Sequence, residues 1–311
     1  MISQLFSATA LIGIAAAGIR LATPYLYATI GETFGQRSGL VNLGVDGIML
    51  MSAYAAFFAT FKTGSLALGL STAIVVGGLM GLAMAFFSVT LKAEQGISGI
   101  GIYIFGLGMS DLLFQKTLGT VETVSGFPPV RIPVLSDVPV LGPVFFTHNV
   151  LVYGAFALVP LAWFVLNRTT LGLKIRAVGD NPAAADSLGV SVGRIRYFTE
   201  ILGGMLAGIA GASLSIALLN VFQQNLTNGM GFIAVALVYF GGWRILGALA
   251  GSLLFSTVNA LQLWMQVLGI PIPPDFATML PYVLTILVLA LTARRVRAPA
   301  ALSKPFERGG E

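Results

Sequence analysis

The sequence predicts an all-α protein, a polytopic membrane bundle of about nine or ten helical segments, some of them discontinuous, and three observations predict it. Hydrophobic residues make up 56% of the 311 positions and charged residues only 9%, with a mean hydropathy of +0.90. A soluble domain carries roughly 25% charged residues, so this composition belongs in a bilayer. Apolar runs of about 20 residues, the length that crosses a hydrocarbon core, recur along the whole chain. The remaining charges gather between those runs, above all in residues 168–196 and in the tail after 293.

Taken in order, the first run is Leu5 to Ile30, interrupted by Arg20 and Pro24. It is too long for a signal peptide and lacks a basic leading region, so it is read as a retained membrane segment. A bend at Ala22-Thr23-Pro24 is favoured, because it lets Arg20 snorkel to an interface. Residues 31–60 follow, where Glu32, Arg37, Asn42 and Asp46 break the apolar pattern and glycines recur at 31, 35, 39, 44 and 47. Backbone interrupted at membrane depth is tolerated only where it is buried in protein or lines a wet cavity, which makes this stretch a candidate pathway element.

Leu66 to Thr90 reads as a clean span, with Gly77, Gly78 and Gly81 offering a small-residue face for close helix packing. A polar turn at Lys92–Gln95 and a glycine-rich span from Ile97 to Phe114 come next. The connection at 119–147 carries prolines at 128, 129, 133, 139 and 143, which rule out a regular helix. A loop of this length usually binds something or covers a mouth, and charge placement puts it outside. Spans at Asn149–Leu166 and Phe198–Leu219 enclose the basic segment 168–196. Asn220 to Asn228 is polar and uncharged, and the apolar run Gly229–Gly242 covers only about 20 Å, short of the roughly 30 Å core, so it reads as half of a broken helix. Spans at Ile245–Met265 and Ala277–Thr292, separated by a turn at Pro271-Ile272-Pro273-Pro274, complete a membrane domain over 1–293, with a basic cytoplasmic tail over 294–311.

Residues 168–196 are the most polar part of the chain, with Arg168, Lys174, Arg176, Arg194 and Arg196 against Asp180 and Asp186. Each such charge costs about 2.5 to 3.5 kcal/mol at a bilayer centre, so the stretch is expected in water, and its cations place it in the cytoplasm. Within it Asn181 to Leu188 reads as a short helix: Asn181 suits the N-cap, Pro182 the first helical position, and Gly189 can end it. A connection between two spans has no need of a capped helix unless something docks on it.

The search for chemistry is mostly negative. Cysteine is absent, which excludes disulfides, thiolate metal sites and cysteine nucleophiles. None of the five lysines follows a glycine, so no G-x-x-x-x-G-K-[ST] phosphate loop exists. The single histidine, His148, reads as a boundary residue, and no catalytic or metal-binding set is expected. The net charge of +5 is explained by cations beside membrane spans and asks for no nucleic-acid partner. Of the carboxylates near spans, Glu32, Glu94, Asp111 and Glu200 read as interface or cap residues, whereas Asp46 lies between Gly44 and Gly47 inside an apolar run.

Three runs, GETFGQRSGLVNLGVDGIMLMSAYAA, LGLKIRAVGDNPAAADSLGVSV and GMGFIAVALVYFGGWRILGALAG, together resemble the membrane subunits of bacterial ABC importers. They are ordered as in that family and bracket residues 31–251. The nearest branch is that of nucleoside or simple-sugar permeases, related to the ribose and branched-chain amino-acid permeases. One small departure is Arg244 after Trp243, where such permeases often carry proline. The resemblance implies the ABC importer permease fold and a multi-pass protein of the bacterial cytoplasmic (inner) membrane with its C-terminus in the cytoplasm. It implies a separate ATPase subunit that binds the ATP, a second and commonly different permease chain, and an extracytoplasmic solute-binding protein. The solute implied is a nucleoside, with a simple sugar such as ribose or galactose as the alternative. An ion-coupled secondary transporter is the rival class, but it would not need a docking helix.

On this resemblance the short helix is the coupling element for the ATPase, with Gly179, Asp180, Asn181, Pro182, Ala184, Ala185, Leu188 and Gly189 as its residues. Small alanines permit close docking, and the flanking cations suit acidic positions on a partner or lipid head groups. The solute path is expected between the two interrupted segments, at Asn42, Asp46, Asn225, Asn228 and Phe232. A hydroxyl-rich neutral solute asks for amide hydrogen bonds and an aromatic face without a fixed charge.

Overall fold

A computed structural model of the chain describes residues 7–269 and 297–308, with the separate positions Met279, Val283, Ile286, Leu287 and Ala290. Those five positions aside, the expected last span, the turn at 271–274 and Arg294 and Arg295 lie outside the described residues.

Helix α1 runs from Ala8 to Arg37 as one 30-residue helix with Pro24 inside it. The expected bend that would divide this run is therefore corrected to a continuous helix. Proline removes one backbone donor, the one that would reach the Arg20 carbonyl; next to it the Thr23 hydroxyl donates to the Ile19 carbonyl at 3.5 Å. After a break at 38–44 come α2 (Val45–Thr63), α3 (Leu66–Ala85, continued by a π turn at Phe86–Thr90) and α4 (Gln95–Thr117). Glu94 caps α4 by accepting from the backbone N–H groups of Gly96 at 3.0 Å and of Ile97; these bonds hold its carboxyl below the ordinary glutamate range.

The connection at 119–147 contains a single helical turn, α5 (Leu141–Phe145), and two short antiparallel strands, β1 (Val130–Arg131) and β2 (Thr147–His148). His148 is buried at this boundary, its Nε2 at 2.7 Å from the Val144 carbonyl. Then follow α6 (Val150–Arg168), α7 (Thr170–Asp180), α8 (Pro182–Ser187) and α9 (Val192–Ser213, continued by a π turn at Leu214–Leu218). The last described helices are α10 (Met230–Phe240) and α11 (Ile245–Val267). Among the described residues six helices, α1, α3, α4, α6, α9 and α11, are long and apolar enough to cross a membrane, the π turns extending α3 and α9. At 11 residues, or roughly 16 Å, α10 is half a span, as its sequence suggests.

The core is built by α1, α2 and α9, with α3, α4, α6, α10 and α11 around them. Helices in lipid gain little from hydrophobic burial and associate by close packing instead. One close seam joins α3 to α9: a Cβ at Gly77 would lie 2.3 Å from the Gly204 carbonyl oxygen, and one at Gly204 would lie 2.3 Å from that of Gly77. Only glycine permits that approach, so the small-residue face read at Gly77 and Gly81 is the α3–α9 contact.

Candidate functional site

Helix α8 is closed at both ends by its own sequence. The Asn181 side chain accepts from the Ala184 N–H at 3.0 Å, Pro182 occupies the first turn, and Gly189 takes the left-handed conformation with φ +82°. Its two faces differ. Ala185 is buried with Val178 and Val192, against which Ile195 and Phe306 also pack. On the other side Ala183, Ala184 and Leu188 point away from the protein, and Leu188 is 84% exposed. Asp180, Asn181 and Gly189 are exposed as well, whereas Gly179 is buried where α7 meets the end of α1.

The platform beneath α8 was only partly visible in the sequence. Helix α7 was not anticipated, although Leu171, Ile175 and Val178 recur at helical spacing; Ile175 and Val178 are fully buried. Residues 297–308 lie along the same platform as a strap. Its backbone joins Gly179 (Ala301 N–H to carbonyl, 2.9 Å) and Gly39 (Ser303 N–H to carbonyl, 3.1 Å). Arg308 pairs with Asp186 at 2.9 Å and Lys92 with Glu307 at 2.8 Å. Arg196, expected in water with the rest of 168–196, is instead 1% exposed. Its guanidinium donates to the carbonyls of Ser38 at 3.2 Å and Lys304 at 3.0 Å, which satisfies part of its donor fork inside the protein.

The second region is the break between α1 and α2. Its polar groups are met by side chains from elsewhere: the Val41 N–H donates to Gln95 on α4 at 2.9 Å, and the Ser38 hydroxyl meets that of Thr199 on α9 at 2.8 Å. Asn42 is 2% exposed and accepts from the Gly44 N–H at 2.8 Å. Behind it lies a polar network the sequence did not reveal, because its members are spread over the chain. Gln36 donates to Glu32 at 3.1 Å, the Trp243 indole donates to Gln36 at 2.9 Å, and Arg37 donates to the Trp243 carbonyl at 2.8 Å. Glu32 and Glu200, expected as interface or cap residues, are 3% and 2% exposed. Glu200 accepts from the Asn42 side chain.

Asp46 joins this break to the second interrupted segment. It is fully buried, and its carboxylate accepts from the Gly231 N–H at 2.8 Å and the Thr227 hydroxyl at 3.0 Å. It thus supplies from α2 the cap that α10 lacks, since Gly229 has no side chain to offer. Gly231 is needed for this approach, because a Cβ there would lie 2.2 Å from the Asp46 nitrogen. Asn225, Asn228 and Phe232 lie on the exposed side of the same junction, with Asn225 and Asn228 at φ +53° and +43°. Phe232 is 37% exposed and stacks edge-on against Tyr103 of α4, with ring centroids 5.0 Å apart. The five residues thus fall into two groups, Asn42 and Asp46 buried in the junction and the other three on its surface. No metal-binding group of three or more His, Cys, Asp or Glu residues occurs among the described residues.

Comparison with known proteins adds the lineage. The family model described as "Branched-chain amino acid transport system / permease component" matches residues 14–289. A putative glucose ABC transporter permease protein of Haloferax volcanii, TsgC13, is 36% identical over 95% of this chain and 98% of its own length. The guanosine ABC transporter permease protein NupQ of Bacillus subtilis is 33% identical over 93% of this chain and 94% of its own. A second guanosine permease protein of that bacterium, NupP, is 27% identical over 81% of this chain and 75% of its own. No solved structure matches. With the match running from α1 through the last expected span, and with a helical membrane core around two broken segments, the chain belongs to the branched-chain amino acid transport system permease family and is a multi-pass ABC transporter permease subunit.

Proposed function

We propose that this chain forms half of the membrane path of an ABC importer for a nucleoside, with α8 as the docking point of a separate ATPase subunit. The carrying observation is α8 itself, a self-capped helix that buries Ala185 in a fixed platform and presents Leu188, 84% exposed, outward. An exposed apolar residue on small, rigid surroundings is what a partner's groove can anchor. ATP bound by the partner supplies the energy. Closure of two nucleotide-binding subunits would push on α8, and the shared packing of Ala185, Val178 and Val192 would carry the push into α7 and α9. Gly179, Asp180, Asn181, Pro182, Ala184 and Gly189 shape that contact. Residues 168–196 and the tail then lie in the cytoplasm, and 119–147 faces an extracytoplasmic solute-binding protein.

The path itself is assigned to Asn225, Asn228 and Phe232, with Tyr103 beside them, completed by the facing surface of a second permease chain. The two guanosine permease proteins of Bacillus subtilis, both similar to this chain, favour a partner different from it. Asn42 and Asp46 serve the path from behind by fixing the two broken segments. NupQ's name favours a nucleoside, and the name of TsgC13 supports a simple sugar as the second reading. The test is uptake of radiolabelled guanosine, in competition with ribose, galactose and glucose, by proteoliposomes holding the whole complex. ATP-dependent uptake resistant to ionophores and inhibited by unlabelled nucleosides is expected. Inhibition by sugars alone would select the second reading, and uptake driven by an ion gradient without ATP would refute the importer. Phe232→Ala is expected to slow uptake several-fold while the complex still co-purifies.

A further inference from the structure

A cleft of about 700 Å³ that neither α8 nor the broken segments account for opens beside the ends of α1 and α6 and the start of α11. Among the described residues its walls include three arginines, Arg37, Arg176 and Arg244, together with Asn167, Trp163 and Leu246, and no carboxylate. The Arg37 guanidinium feels the charges of both Arg176 and Arg244; the nearby carboxylate that it also feels, Asp180, is not in the wall. Three like charges held around a cavity repel one another unless an anion lies between them. The wall also contains the first turn of α11, Ile245–Gly247, whose cap residue Arg244 offers no side-chain hydrogen bond to its N–H groups. This start of a 23-residue helix adds a partial positive charge beside the cleft.

We infer that this cleft binds the phosphate of an anionic phospholipid head group. The phosphate chemistry follows from the arginines, whose forked donors match a tetrahedral oxyanion. The lipid source follows from the position and rim. The cleft sits where three membrane helices end, and Trp163 at its edge carries the Arg168 guanidinium over its ring at 5.8 Å, an aromatic and basic girdle of the kind found at membrane interfaces. Leu246 in its wall is 58% exposed and, with Leu166, offers acyl chains an apolar surface. Basic pockets between membrane helices are established places for such head groups. The site binds at the base of α6 and α7, so an occupying lipid would brace the platform that carries α8. The inference does not depend on which solute is carried.

The experiment uses the complete complex, delipidated in detergent and titrated with phosphatidylglycerol or phosphatidylcholine, with retained lipid counted by native mass spectrometry. The parent should retain phosphatidylglycerol at least tenfold better than phosphatidylcholine. The double variant Arg176→Gln, Arg244→Gln should lose that preference. Leu246→Asp, which keeps every arginine but puts a carboxylate at the rim, should weaken it several-fold. Lys174→Gln, outside the walls, should leave it unchanged. Equal retention of the two lipids by the parent overturns the proposal. So does full competition by inorganic phosphate at millimolar concentration, which would mark a site for a free anion. Unchanged lipid retention with loss of the ATPase subunit from the double variant would show a protein contact, and likewise refutes it.

Discussion

Helix α8 closes its own ends within Asn181–Gly189, whereas the break at 38–44 draws its partners from α4, α9 and the strap at 297–308. Both are short departures from long membrane helices, and both are candidates for function. The difference lies in what each depends on. The outer face of α8, with Ala183, Ala184 and Leu188, is exposed, so a change there should alter what docks and leave the fold alone. The break is buried except for the half-buried Leu43, and a change there should cost the fold before it alters transport.

The largest effect is expected at the junction. Asp46→Leu removes both acceptors and leaves Gly231 N–H and Thr227 hydroxyl unsatisfied in a dry interior. The cost of two such groups is about 2 to 6 kcal/mol, so little monodisperse protein should survive detergent extraction, and its thermal midpoint should fall. Asp46→Asn retains one acceptor oxygen and should recover much of the loss. A Leu variant as stable as the parent would show that α2 and α10 are held together by something else.

Ala184→Glu tests the other side of the comparison. The carboxylate lands on the outward face of α8, so stability of the isolated chain should change by no more than about 0.5 kcal/mol. Association with the ATPase should weaken by about 3 kcal/mol, roughly 100-fold, because an unpaired charge is buried on docking. Co-purification and transport-linked ATP hydrolysis read this directly. If both are normal while the bundle unfolds more easily, the two regions have been given each other's roles.

A smaller effect is expected from Asn181→Ala, which removes the cap and nothing else. Helix caps are worth about 1 kcal/mol, so amide exchange over 183–187 should speed up by roughly fivefold, with a modest fall in uptake. No change in exchange would mean that the platform, and not the cap, holds α8.

The same contrast decides what was legible in the sequence. Asn181, Pro182 and Gly189 act on their immediate neighbours, and their chemistry can be read from the residues themselves. The α3–α9 seam was half legible: Gly77 and Gly81 announced a close contact, but nothing in the sequence named Gly204 as its partner. The break announced itself through glycines and polar residues. Its satisfaction did not, since Gln95, Thr199 and Arg196 are distant in the chain and look like ordinary interface residues. Arg196 shows why charge alone misleads: carbonyl acceptors from Ser38 and Lys304, more than a hundred positions apart from it, let a guanidinium sit inside the protein. The strap reads as a basic tail because its bonds to Gly39 and Gly179 are made by backbone groups, which carry no sequence signature, and its side-chain partners Asp186 and Lys92 are distant in the chain. Helix α7 carried a readable signal at Leu171, Ile175 and Val178 that the neighbouring charges masked. Proline at position 24 suggests a division of the first run, but the helix continues through it.

The central claim is that α8 is where the driving subunit sits. The chain has no cysteine, so a single one placed at Leu188 can be linked to its neighbours without background. In membranes holding the complete complex, a bifunctional thiol reagent at position 188 is expected to capture the ATPase subunit, and a cysteine at the exposed position Phe164 is expected not to. Failure of position 188 to capture the ATPase, with labelling of that cysteine from outside intact cells, would contradict the account.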